Sequence, residues 1–225
     1  KRRTGIGKQT SMKKPNKVIK FLISSDVALI AGLGFTTPIF AIFLSDHIKN
    51  GGVEVAGFAA AIYWITESIA VIPAGWYLDK NHGEKDDLWF IIIGNFLAAF
   101  AILGYLYSSL PWHIYALQMV YAIGMGMNIP GYSAIFTRHI DKGSEASEWG
   151  VRSSSIGFCT GIAGAIGGII VKKLGFDALF IGSSIFIILS ALIPLFIRRD
   201  MSPRNIPEPK VPEIKTIEPP TVKNE

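Results

Sequence analysis

The chain has 225 residues, half of them hydrophobic and 17% charged, with 22 Lys+Arg against 17 Asp+Glu. A mean hydropathy of +0.39 beside that many charges requires the charges to be segregated, which excludes disorder for most of the chain and argues against a soluble globular domain. A helix needs about 20 apolar residues to cross the hydrocarbon, so the length accommodates six crossings and not twelve.

The first segment, residues 1–17, is polar and basic and reads as a cytoplasmic arm. It begins with Lys rather than Met, so the expectation is either a fragment of a longer chain or a true start at Met12. A cleaved signal peptide fits poorly, because the apolar run that follows is too long.

Six apolar spans follow near Val18–Leu44, Val55–Leu78, Leu88–Tyr107, Trp112–Phe136, Gly150–Val171 and Ala178–Ile197. They predict an all-α integral membrane domain over residues 18–200. The tail, residues 201–225, is rich in Pro, Glu and Lys, lacks apolar periodicity and is expected to be disordered.

The first span carries Gly32, Gly34, Thr36, Thr37 and Pro38 in close succession. Pro frees a backbone carbonyl that lipid cannot satisfy. Two readings fit: a kinked, closely packed helix, or a cavity-lining helix that flexes during transport. Asp26, near the start of this span, reads as a solvated interfacial group. The second span holds Glu67 near its centre, in Tyr63-Trp-Ile-Thr-Glu-Ser. An ionised carboxylate there costs about 2.5–3.5 kcal/mol on insertion scales, so it must face protein or water. Glu67 is the candidate for proton coupling or substrate contact; a structural hydrogen bond between helices is the alternative.

In the fourth span Gln118, Tyr121 and Asn128 share one helical face. A water-filled groove and interhelical hydrogen bonding both produce such a face. The fifth span runs through Gly157, Gly161, Gly164 and Gly168, a small-residue spacing that lets another helix approach closely. No strand precedes these glycines, so they are not a phosphate loop.

Assigning Lys and Arg to alternate sides places 19 with the two termini and only Lys49, Lys172 and Lys173 opposite. The positive-inside rule then sets both termini in the cytoplasm of a multi-pass plasma-membrane protein. The surplus charge lies in tails and loops, so nucleic acid is not an expected partner. Cys159 is the only cysteine, which excludes an internal disulfide and a thiolate metal site. There is no His-Glu-x-x-His motif and no Gly-x-Ser-x-Gly elbow. His47, His82, His113 and His139 fall in loops or at span ends. The chain is therefore not expected to be an enzyme, and no metal or cofactor is expected.

After the second span the chain reads Gly75-Trp-Tyr-Leu-Asp79-Lys80-Asn-His-Gly83-Glu84. This resembles the Gly-x-x-x-Asp-Arg-x-Gly-Arg-Lys signature of the major facilitator superfamily of secondary transporters. One extra residue precedes Gly83, and Glu84 stands where an Arg is usual. Gly124-x-Gly126 resembles the family's second signature, with Val120 in place of its Arg. The fifth span resembles the Gly-rich third signature, with Ala165 in place of its Pro.

The resemblance implies half of that fold: six helices as two inverted three-helix repeats. It implies a secondary transporter that moves a small solute by alternating access, either as a half-size homodimer or beside a missing second half. A non-transporting membrane scaffold with the same fold is the alternative. By the same resemblance, Thr36, Thr37, Phe40, Gln118, Tyr121 and Asn128 line the cavity. Gly75, Asp79, Lys80 and Gly83 form a conformational gate.

Overall fold

Asn16 starts the first helix: its Oδ1 accepts from the Ile19 N–H at 2.9 Å, and its Nδ2 donates to the His139 carbonyl. One of the four unpaired donors at the helix start is thereby satisfied. Helix α1 (Lys17–Thr36) runs to Pro38, where a 3-10 turn interrupts it, and α2 (Phe40–His47) continues the same rod. The computed structural model describes residues 16–80 and 83–201. The expectations for the rest of the basic arm, for His82 and for the tail beyond Met201 lie outside the described residues.

Asn50, at a φ of 55°, turns the chain into α3 (Val53–Lys80), which holds Pro73 internally. Helix α4 (Glu84–Gly104) opens with Glu84, Asp86 and Asp87, whose charges favour a helix N-terminus. Helix α5 (Pro111–His139) begins with Pro at its first position, where the missing N–H costs nothing, and ends on Arg138 and His139. The last helix, α6 (Glu145–Leu192), contains a non-helical residue, Gly175 at φ 83° and ψ 179°. An L side chain strongly disfavours that conformation, so glycine sets the break between two arms of α6. The rods thus number six among the described residues: α1 with α2, α3, α4, α5 and the two arms of α6.

By length and composition, four stretches can cross a membrane: Lys17–His47, Val53–Lys80, Glu84–Tyr107 and Glu145–Ile197. The last holds both arms of α6. Helix α5 falls outside this group; Gln118, Asn128 and three glycines dilute its apolar character.

Contacts sort the ends. Lys17 pairs with Asp200 at 2.8 Å, and His139 lies 3.7 Å from Glu84. The two ends of the described chain therefore meet the α3–α4 and α5–α6 connections on one side. On the other side the Lys49 N–H donates to the Ser109 carbonyl at 2.9 Å, and His47 packs edge-on to Phe176.

Helix α1 packs on both arms of α6, while α5 packs on α3 and α4. Close approach is built on glycine. A Cβ on Gly94 would fall 2.3 Å from the Gly124 carbonyl oxygen, and one on Gly124 would fall 2.6 Å from that of Gly94. Gly126 meets Ala70 of α3, Gly32 meets Ser183 of the second α6 arm, and Gly34 meets Ala163 of the first.

The pattern Gly32-x-Gly34-x-Thr36-x-Pro38 recurs as Gly124-x-Gly126-x-Asn128-x-Pro130. Gly32 on rod one meets rod six and Gly34 meets rod five, while Gly124 on rod four meets rod three and Gly126 meets rod two. Swapping rods one to three for rods four to six carries the α1 contacts onto the α5 contacts. This is the symmetry of two three-helix repeats.

Buried polar groups tie the rods together. Asn128 donates to Asn95 at 2.7 Å, Asn95 donates to the Ser190 hydroxyl at 3.0 Å, and Ser25 donates to the Ser190 carbonyl at 2.7 Å. Helices α5, α4, α6 and α1 are joined in one run. Thr36 and Ser183 share a further bond of 2.9 Å. In apolar surroundings such bonds act as glue between helices, averaging roughly 0.6 kcal/mol each.

Candidate functional site

Helices α1, α2, α3, α4 and α5 line an open-sided cavity of about 390 Å³. Its α1 side begins with Ile30 and Leu33 and carries Thr36 and Thr37, with Phe40 at the foot of α2. Pro38 forces this wall: it stops α1 and offsets the rod so that Thr36 and Phe40 both reach the cavity. The α5 side presents Gln118, Tyr121 and Met125, one turn apart in succession. Ala60, Tyr63 and Trp64 come from α3, and Ile102 and Tyr105 from the end of α4.

The lining is aromatic and uncharged, with five aromatic rings and no Asp, Glu, Lys or Arg among its residues. Tyr63 and Tyr121 have ring centroids 4.7 Å apart with planes tilted by 34°, and the Phe40 and Tyr105 centroids are 5.1 Å apart. The Tyr63 hydroxyl sits between the Tyr121 hydroxyl and the Glu67 carboxyl. Glu67 lies one helical turn beyond Tyr63, is only 8% exposed, and its Oε2 has no hydrogen-bond partner among the described residues. Gln118, 7% exposed, likewise leaves its Oε1 without a partner there. Thr37 spends its hydroxyl on the Leu33 carbonyl at 2.8 Å. Trp64 is 63% exposed and stands at the rim.

Thr36, Thr37, Phe40, Gln118 and Tyr121 thus lie together around one space. Asn128 lies elsewhere, its amide committed to Asn95 in the buried run. Tyr63, Trp64, Tyr105 and Met125 also line the cavity. The Tyr63–Glu67 spacing of one helical turn was the sequence signal for the first of them.

The residues expected to form a gate sit at the end that carries the described termini. Gly75 has open space before it, Asp79 and Lys80 are exposed, and Gly83 caps α4. Gly157, Gly161 and Gly168 are exposed with open space around them, and a Cβ on Gly164 would lie 3.5 Å from the Pro38 ring. The closest approach on this helix belongs to Gly167, where a Cβ would fall 2.3 Å from the Phe35 carbonyl oxygen.

Asp26 is not a solvated interfacial group. It is 6% exposed and forms an ion pair with Arg152 of α6 at 2.7 Å. The Arg152 guanidinium also lies over the Tyr132 ring at 4.6 Å. No spacing rule in the sequence connects Asp26 to Arg152; only the packing of α1 on α6 brings them together. A second ion pair joins Asp87 of α4 to Arg138 of α5.

No curated protein matches the chain. Among solved structures, the POT family transporter PepTSo, determined in meso, aligns with a TM-score of 0.64 at 17% identity, over 88% of this chain and 41% of that one. An auto-inhibited POT family peptide transporter aligns with a TM-score of 0.66 at 19% identity, over 85% of this chain and 39% of that one. These are likenesses of fold, and the chain spans well under half the length of either structure. A family model described as Major Facilitator Superfamily matches residues 27–223. Six rods with internal two-fold exchange, the Gly75–Asp79 and Gly124–Gly126 motifs and that match agree: the chain is an integral membrane protein that belongs to the Major Facilitator Superfamily.

Proposed function

We propose that the chain moves a small solute across the plasma membrane by alternating access, as one six-helix half of a two-half transporter. The observation that carries this reading is the cavity lined by α1, α2, α3, α4 and α5. Its volume of about 390 Å³ falls in the range of small-molecule sites, and its aromatic walls with a few polar groups suit an organic solute. Thr36, Thr37, Phe40, Gln118 and Tyr121 are the proposed contacts, with Glu67 as the coupling carboxylate.

The missing wall is supplied by a second half, which we take to be a second copy of this chain. In support, α3 and the first arm of α6 carry exposed Ile65, Ile69, Trp76, Phe158 and Ile169. The end that carries the described termini holds most of the basic residues and is the cytoplasmic end in this reading.

The test uses single Cys replacements at Thr37, Gln118 and Tyr121 on a Cys159→Ser background, in membranes. A small hydrophilic thiol reagent should label all three. Uniform inaccessibility would support the alternative, a closed scaffold of the same fold that transports nothing.

A further inference from the structure

The hydrogen-bond inventory of the cavity is lopsided. Thr37 donates to the Leu33 carbonyl, Thr36 shares its bond with Ser183, and the Tyr63 and Tyr121 hydroxyls face each other. Those four hydroxyls are therefore engaged. Two buried acceptors are free: Oε1 of Gln118 and Oε2 of Glu67. A buried acceptor without a donor costs roughly 1–3 kcal/mol, more for a charged group. What would satisfy both is a ligand that brings hydrogens.

The charge is equally one-sided. Asp26 of α1 and Asp87 of α4, both buried, each meet an arginine. Glu67 meets no cation among the described residues, and the cavity wall contains none. Glu67 stands behind the wall, against the Tyr63 and Tyr121 hydroxyls, and the cavity in front of those two rings is also lined by Phe40, Trp64 and Tyr105. Aromatic faces attract cations within about 6 Å of the ring centroid, and the attraction grows when water is excluded.

We propose that the cavity binds an organic ammonium cation bearing at least one N–H, with Glu67 as its counter-charge and Gln118 as second acceptor. The proposal rests on the cavity being a solute site, and it names the substrate class. Anions are excluded by the same arrangement: they would add a charge beside Glu67 and offer no hydrogen to either free acceptor. A neutral alcohol could donate once but would leave the carboxylate unneutralised.

Isothermal titration of the full chain in detergent at neutral pH tests this with three probes of one shape: phenethylammonium, phenethyl alcohol and hydrocinnamate. The ammonium should bind saturably, and the alcohol and the carboxylate should bind at least about tenfold more weakly. Glu67→Gln should weaken phenethylammonium about tenfold or more while leaving the alcohol unchanged. Because Glu67→Gln could disturb folding, a second readout uses the native carboxylate. Ala60→Cys on the Cys159→Ser background should be protected from a thiol reagent by phenethylammonium and not by hydrocinnamate. Equal binding of the three probes, or unchanged ammonium affinity in a folded Glu67→Gln variant, would overturn the proposal. Labelling at Thr37, Gln118 and Tyr121 without any ammonium binding would sink the substrate class alone. Loss of that labelling would sink the transport reading beneath it.

Discussion

Three of the buried carboxylates fall into two kinds of neighbourhood. Asp26 and Asp87 meet guanidinium groups, and Glu67 meets a tyrosine hydroxyl. The arginine pairs are structural in kind: each joins two helices near the end that carries the described termini. Removing one partner strands the other in a poorly solvated place. Asp26→Asn should therefore destabilise the protein by about 3 kcal/mol, since Arg152 then keeps only the Tyr132 and Trp149 rings. Thermal unfolding in detergent checks this, and the double variant Asp26→Asn, Arg152→Gln should recover part of the loss. No recovery would mean that the two residues act independently.

Glu67 behaves differently because nothing fixed neutralises it. The titratable groups that face it are Tyr63 on its own helix and Tyr121 on α5, and tyrosines do not ionise near neutral pH. If Glu67 couples solute to protons, Glu67→Gln should remove the pH dependence of net uptake into proteoliposomes while exchange persists. Uptake still driven by a pH gradient in that variant would reduce Glu67 to binding or packing.

Helices meet here through glycine backbones rather than interlocking side chains, so tolerance to substitution should vary sharply along one sequence pattern. Gly124→Ala pushes a methyl group to 2.6 Å from a backbone oxygen of α4, which cannot move aside cheaply. It should cost about 1–3 kcal/mol or more by overpacking. Gly157→Ala meets open space within the chain and should be neutral or gain up to about 1 kcal/mol from helix propensity. Paired melting curves of the two variants decide this; equal destabilisation would mean that Gly157 is buried by another surface.

The apolar spans were legible because each is a run of about 20 residues, a length that lipid imposes. The break at Gly175 was legible only as a short polar gap, since positive φ leaves no trace except the glycine itself. The recurrence of Gly-x-Gly-x-polar-x-Pro in α1 and α5 was in the sequence throughout. It becomes meaningful only when both copies are seen to touch equivalent neighbours. Asn128 shares a helical face with Gln118 and Tyr121, yet its amide is spent on Asn95. Spacing assigns a residue to a face, and depth along that face decides whether it meets a cavity or a neighbouring helix.

At the scale of the whole molecule, the exposed apolar surfaces of the described residues lie where the proposed second copy would pack. Helix α3 is the least buried of the four stretches able to span a membrane, with Trp64, Ile69 and Trp76 turned outward. Along the first arm of α6, Gly157, Gly161 and Gly168 leave a smooth exposed strip beside Phe158. A strip of small residues lets a neighbouring helix come close, and large apolar side chains on that neighbour fill the approach. In a homodimer with its axis along the membrane normal, α3 of one copy would lie on α6 of the other. That arrangement also gives Asp79 a role. It sits exposed at the C-terminal end of α3, where its charge opposes the dipole of its own helix. Across the two-fold axis it would face the partner's α6 near Trp149 to Ser153, just past the first turn that begins at Glu145. A helix N-terminus favours an anion by about 0.3–2 kcal/mol per contact, most of it within that first turn. Two such contacts would hold the cytoplasmic side closed, and Asp79→Asn should shift the dimer toward the inward-open form. Cysteines at Asp79 and Gly150 on the Cys159→Ser background should then cross-link between copies, giving a dimer band under oxidising conditions that reductant removes. Cross-links confined to single chains, or transport by a strictly monomeric protein, would defeat the two-copy arrangement.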